Sequence, residues 1–345
     1  MRLQWMMASG FLLAAQASHA ASPPPPPAPA AAMTFEPRAI DSATWIPGLG
    51  PADLARVLIR AQVILDRAHF SPGVIDGRDG TNFRRALSAF ETATAGGAPP
   101  AVGLPELDAV GWRALVAADA APVVQEHVIT AEEAKGPFLG SLPKEMSAMA
   151  RLPHMDYATA SEAMAAMFHM DEALLRAMNP QADFALAGTR LSVVRPANTP
   201  VAPVALIEVD KSNDEVRALD VAGRLLAVFP ATVGSRERPA PSGQFAVRAV
   251  VPNPTYTYDP KRLTFGKRSQ GKLTIHPGPN NPVGSTWIDL TIETYGIHGT
   301  PDPRMVGKSA SHGCVRLTNW DATALGLAIK PGTPVRFVGA QRRKG

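Results

Sequence analysis

A chain of 345 residues suits two or three domains, and an apolar fraction of 46% supplies material for buried cores. Its 34 prolines favour loops, linkers and strands over long helices. The net charge of +4 is uneven, with nineteen Lys and Arg against eleven Asp and Glu from Val204 onward and fifteen against nineteen before it; the basic part suits an anionic partner or serves solubility, and no aromatic-interleaved basic run points to nucleic acid.

In chain order, Arg2, the apolar run Trp5 to Ala15 and the small-x-small triplet Ser18-His19-Ala20 read as a secretory signal in residues 1–20, cleaved after Ala20. The run is too short to span a bilayer. This predicts a periplasmic or cell-wall location, and no cysteine stands near the cleavage site to carry a lipid. Residues 21–50 form a Pro/Ala-rich linker, in which Ser22 to Ala32 holds five consecutive prolines and should be an extended spacer.

Leu54, Val57, Leu58, Ala61, Ile64 and Leu65 recur at helical spacing. A turn-rich stretch from Phe70 to Gly77 leads to a second helix, Asn82 to Thr92, burying Phe83, Leu87 and Phe90. Helix, Phe-Ser-Pro-Gly-Val-Ile-Asp-Gly, helix resembles the small helical peptidoglycan-binding domain, here residues 51–116. Residues 117–153 read as a connecting segment, with Glu132, Glu133 and Lys135 on a solvated face.

Residues 154–197 are patterned as strand, helix, helix, strand. Ser161 to Phe168 fit one helix, Asp171 caps a second through Met178, and Asn179-Pro180 stops it. Gly188 to Val194 reads as a turn into a strand, and the first strand is expected near His154 to Ala158. The order resembles a small α+β LysM-type module. Met164, Met167, Met170 and Met178 read as core filler, and His154 and His169 as surface residues.

From Val204 the texture changes to short alternating runs. Strands are expected at Ala205 to Asp210, Arg217 to Asp220, Leu225 to Ala231, Gly243 to Val251, Lys272 to His276, Trp287 to Leu290, Tyr295 to Ile297 and Pro334 to Val338. One helix, capped by Thr318 and ended by Lys330-Pro331-Gly332, closes the region. The fold class is multidomain: a mainly β, sandwich-like domain at 203–339 with one C-terminal helix, preceded by the helical domain and the α+β module.

Cys314 is the only cysteine, so it forms no intramolecular disulfide. An unpaired thiol in an exported protein calls for a reason, of which catalysis is the simplest and a buried inert thiol the plainest alternative. The thiolate is the reactive form. His298, sixteen positions upstream, and His312 are the candidate bases, and Arg316 adds positive charge.

Ile297-His298-Gly299-Thr300 followed by Ser311-His312-Gly313-Cys314-Val315-Arg316-Leu317 resembles the catalytic signature of the L,D-transpeptidases of the YkuD type. The resemblance maps Cys314 to the nucleophile and His298 to the base, and gives His312 a structural or substrate-positioning role. It implies acyl transfer through a Cys thioester on peptidoglycan stem peptides. The acceptor would be an amine on a second stem or on a wall-attached protein. Gly313 and Cys314 would supply backbone N–H groups to the oxyanion, with Ser311, His312 and Arg316 near the substrate. It implies no cofactor, and a backbone carbonyl or small side chain as the third member of the site.

Arg316 and the run Lys261, Arg262, Lys267 and Arg268 would meet stem carboxylates, although a solvated loop is the simpler reading of that run. Three alternatives stay open. Water as acceptor would make the chain a carboxypeptidase or endopeptidase. A catalytically dead domain would leave a wall-binding protein. Zinc held by His276, His298, His312 and Cys314 is the third, disfavoured because their spacings match no standard zinc pattern, so no metal is expected; His276 reads rather as a cleft-lining or structural residue.

Overall fold

The computed structural model describes residues 36–95, 103–234, 238–260, 271–308 and 313–341. The helical part begins with α1 (Pro37–Asp41), α2 (Pro51–Arg67), α3 (Thr81–Ala95) and α4 (Ala109–Ala118). Proline starts α2, where a missing N–H costs nothing, and Asp108 caps α4 by accepting from the N–H groups of Val110 and Gly111. Phe83, Leu87 and Phe90 of α3 are buried, as their spacing predicts.

The segment expected to connect contains β1 (Val124–Val128), α5 (Ala131–Lys135) and α6 (Met146–Met149). It is followed by α7 (Ala160–Met167), α8 (Glu172–Met178) and β2 (Arg190–Val194). β1 pairs antiparallel with β2, Val124 opposite Val194. The strand expected near His154 to Ala158 does not form there; β1, thirty residues earlier in the chain, takes the place beside β2. The alternation Val-Gln-Glu-His-Val is polar on one face, which hid it. Met164, Met170 and Met178 are buried, whereas Met167 is 47% exposed and fills no core. Ile40, Leu65, Leu87, Leu115, Leu175 and Val193 belong to one shared hydrophobic core, which also reaches Val228 in the β region.

The β region holds β3 (Leu206–Asp210), β4 (Glu215–Leu219), β5 (Leu225–Pro230), β6 (Thr232–Val233), β7 (Gly243–Pro252), β8 (Tyr256–Tyr258) and β9 (Leu273–Ile275). It continues through β10 (Thr286–Leu290), β11 (Gly296–His298), β12 (Val315–Arg316), α9 (Asn319–Ala328) and β13 (Pro334–Val338). Nine strands form one sheet in the order β5-β4-β3-β13-β7-β10-β11-β12-β6, and β8 and β9 pair separately. β7 joins the two halves: Gly243 to Ala246 pair with β13, and Val247 to Pro252 with β10. The expected sandwich is therefore a single sheet continuous through a long strand, with both halves contributing to a second core around Ile207, Val216, Val247, Ile288, Ile297 and Val335. Thr318 caps α9, accepting from Asp321 N–H as expected.

The helical part docks on this sheet. Ser71 N–H donates to the Val228 carbonyl (2.8 Å) and Val228 N–H to the His69 carbonyl (2.9 Å), joining the turn after α2 to β5. Asn82 donates to the Val306 carbonyl (2.9 Å). His169 is no surface residue: it accepts a left-handed φ of 54°, pairs with Asp66 at 3.1 Å and stacks on Trp320.

Candidate active site

His298 ends β11, and Cys314 immediately precedes β12. These strands run parallel, with Ile297 opposite Val315 and His298 opposite Arg316. The same register sets Cys314 beside Gly296. Side chains alternate across a strand, so His298, Cys314 and Arg316 share one face of the sheet. All three line a cavity of about 850 Å³. A parallel neighbour demands a crossover, and the residues between His298 and Cys314, including a 3₁₀ turn at Pro303–Met305, supply it.

His298 is 4% exposed. Its Nδ1 lies 2.6 Å from the Gly299 carbonyl oxygen. A carbonyl only accepts, so Nδ1 carries the proton and Nε2 keeps its lone pair. Trp287, its cross-strand partner in β10, stacks on the imidazole with centroids 5.4 Å apart and planes 21° from parallel. Burial pushes the imidazole down to about 4, the nearby Arg316 charge acts the same way, and the Gly299 carbonyl offsets only part of it.

Cys314 is half-buried, and its thiol points to the Thr294 carbonyl at 3.9 Å rather than to the imidazole. Burial pushes the thiol up from its ordinary value, against the opposing pull of backbone N–H groups at Gly296 and Cys314 and of the Arg316 and Arg238 charges. Burial thus disfavours the charged form of both the thiol and the imidazole. Burial lowers Arg316 in turn, while Cys314 and Tyr256 act to hold its charge. Tyr256 also lines the cavity, raised by burial and by the Cys314 charge.

Gly313 has φ 131°, and open space surrounds the point where a Cβ would sit, so conformation rather than crowding demands glycine there. Gly299 is the reverse case: a Cβ would lie 2.2 Å from Asn319 Oδ1. Asn319 accepts from Ser285 N–H (3.1 Å) and donates to the Pro279 carbonyl (2.9 Å), tying two loops around Gly299. Ser311, His312 and the run Lys261 to Arg268 lie outside the described residues. His276 is exposed and absent from the cavity lining, so it is not the cleft residue its loop suggested. Among the described residues no three His, Cys, Asp or Glu side chains gather as metal ligands.

Sequence reasoning passed over Trp287, Asn319, Tyr256 and Met146. Trp287 was legible only as a residue of an expected strand, eleven positions before His298. Asn319 and Met146 carry no local signal, because only the packing brings them to the site.

A buried His and a half-buried Cys thus stand on neighbouring parallel strands and line one cavity, the residue types of a candidate nucleophile and base. The L,D-transpeptidase catalytic domain of the YkuD family matches residues 205–337. The chain is 31% identical over 133 residues to YqjB of Bacillus subtilis, covering 37% of this chain and 67% of that protein. It is 30% identical over 112 residues to YkuD of Bacillus licheniformis, covering 32% of this chain and 53% of the relative, or about half its length. Both relatives carry the name L,D-transpeptidase. Among solved structures it is similar to L,D-transpeptidase 1 of Mycobacterium tuberculosis, at 21% identity and a TM-score of 0.29, covering 43% of this chain and 66% of that one. The chain belongs to the L,D-transpeptidase family.

Proposed function

We propose that this protein is an exported L,D-transpeptidase that works on peptidoglycan stem peptides through a thioester on Cys314. The observation that carries this is the β11–β12 register, which puts His298 and Cys314 on one face of one cavity. His298 Nε2 takes the thiol proton as the sulfur attacks a peptide carbonyl carbon, forming the C–S bond. Backbone N–H groups at Gly313 and Cys314 face the oxyanion, and losing one such donor typically costs about 3 kcal/mol of barrier. The C–N bond then breaks, and the leaving amine takes the proton from His298. An acceptor amine attacks the thioester, loses its proton to the imidazole, and releases the sulfur, which regains that proton.

Burial that disfavours both charged forms suits this sequence of steps. A thiolate forms only as substrate arrives, so an exported thiol stays poorly reactive toward oxidants in between. Arg238, Lys272 and Arg316 outnumber Asp259 on the cavity wall and suit a donor bearing carboxylates. The helical and α+β parts, which resemble wall-binding modules, would hold the enzyme to its polymer, and the signal-like residues 1–20 would deliver it outside the cytoplasm.

The test is incubation of the purified protein with muropeptide tetrapeptides and mass spectrometry of protein and products. A thioester on Cys314 and dimeric muropeptides are expected, and both should vanish in Cys314→Ala. Trimmed monomers alone would assign hydrolysis instead. Turnover that survives Cys314→Ala would overturn the covalent route.

A further inference from the structure

Residues matched to the family, 205–337, contain every described residue lining the catalytic cavity except Met146. Met146 starts α6, which lies between β1 and α7, and it is half-buried in the lining of the cleft. Its helix packs against β9, the second strand of the β8–β9 pair that carries Tyr256 and borders the same cavity.

This wall is fastened to the catalytic region. Met155 is fully buried. Its N–H donates to the Pro277 carbonyl (2.8 Å), and its carbonyl accepts from Asn280 N–H (2.9 Å). Asn280 Nδ2 also donates to the Asp156 carbonyl (3.0 Å). Gly278, at φ 143°, comes so close that a Cβ there would lie 2.2 Å from the Met155 carbonyl oxygen. The clasped loop runs straight on to Pro282 and Val283, which line the cavity. This clasp, nine residues after Met146, ties the chain that follows α6 to the loop entering the cavity.

The cavity lining is mixed. Val251, Pro254 and Val283 join Met146 as its aliphatic residues, and Arg238, Lys272 and Arg316 outnumber Asp259 among its charged ones. An unbranched thioether adapts to irregular aliphatic surfaces. We infer that Met146 is a specificity-determining residue, which covers the aliphatic portion of a peptide donor while its carboxylates meet the basic residues of the lining. The region upstream of the family domain thereby forms part of the substrate site. The inference rests on the thioester reading above.

The full-length protein and its Met146→Ala and Met146→Leu variants would be compared with a muropeptide tetrapeptide as donor, alongside alkylation of Cys314 by iodoacetamide. Met146→Ala should raise KM about fivefold, leave kcat within about twofold and leave alkylation unchanged, the pattern of lost ground-state binding. Met146→Leu, similar in volume, should restore KM. An unchanged KM in an active Met146→Ala enzyme would overturn the inference and leave the thioester reading standing. Equal losses in KM and in alkylation, or no recovery with leucine, would also overturn it. A wild-type protein without turnover would remove both readings together.

Discussion

Two buried imidazoles in this protein have opposite chemistry. His169 sits at the seam between the helical part and the sheet, 3.1 Å from the buried carboxylate of Asp66 and stacked on Trp320 at 4.9 Å. Burial alone would lower it, but the charge and hydrogen bond of Asp66, with Asp321 further off, raise it above its ordinary value. His298 in the cleft is more enclosed, its partner is the neutral Gly299 carbonyl and its charged neighbour is the cationic Arg316, so it falls to about 4. Burial is common to both, and the partner decides. A carboxylate makes the imidazole a charged fastener, whereas a carbonyl fixes its orientation and leaves a free lone pair.

Exchanging the two histidines separately would break the comparison most sharply. His298→Gln should lower kcat/KM by about 10²- to 10⁴-fold, the usual value of a lost general base, with the melting temperature nearly unchanged. His169→Asn, chosen because asparagine tolerates the positive φ, should keep activity within a few-fold. It should destabilise the fold by about 2–3 kcal/mol in chemical denaturation, because the buried Asp66 loses its cation. Equal activity losses in the two variants would dissolve the distinction.

The second separation is by pH. With His298 lowered to about 4, kcat/KM should hold a plateau from about pH 5 upward and fall only as pH drops through 4, where the base becomes protonated. Because burial raises the Cys314 thiol, iodoacetamide should alkylate the free enzyme at pH 7 more slowly than it does a small thiol. Alkylation faster than that of a free thiol would show a resting ion pair instead.

The seam should move the other way. Asp321 is held up to about 7, from 3.8, by burial and by the Asp66 charge, against hydrogen bonds from Thr318 and Ser71 and the His169 charge. A raised folded value means its contribution is whole below about pH 4 and is lost as pH rises through 7, and His169 has the same sign. The lowered Asp66 contributes above its unfolded value and is lost in acid. Denaturation free energy should therefore drop by about 2 kcal/mol between pH 5 and pH 8, and Asp321→Asn should remove a large part of that slope. An unchanged slope in the variant would show that Asp321 does not titrate in this range.

The local chemistry of the site was readable because its spacing is short and its residue types are rare. Eight strands of the β region could be placed from alternation, and the α9 cap from Thr318 and Asp321. What escaped were features two or three residues long, such as β6, β8 and β12, whose patterns are too brief to carry a period. β1 escaped because its partner β2 begins sixty-two residues after β1 ends, and no local rule pairs them. His169 was misread for a related reason: a polar residue in a turn looks exposed until another helix brings Asp66 to it.

By itself the sequence singled out Cys314 and His298 as the candidate nucleophile and base, since it holds one cysteine and one signature of this kind. It also determined the change from helical to β texture near Val204. Tertiary structure alone decided that β11 and β12 lie side by side and in parallel, that the imidazole Nδ1 meets the Gly299 carbonyl, and that Met146 joins a cleft whose other described residues begin ninety-two positions later in the chain. Residue type sets what a side chain can do, while burial, register and neighbouring charge set which of those things it does, and these depend on contacts that no local stretch of chain contains.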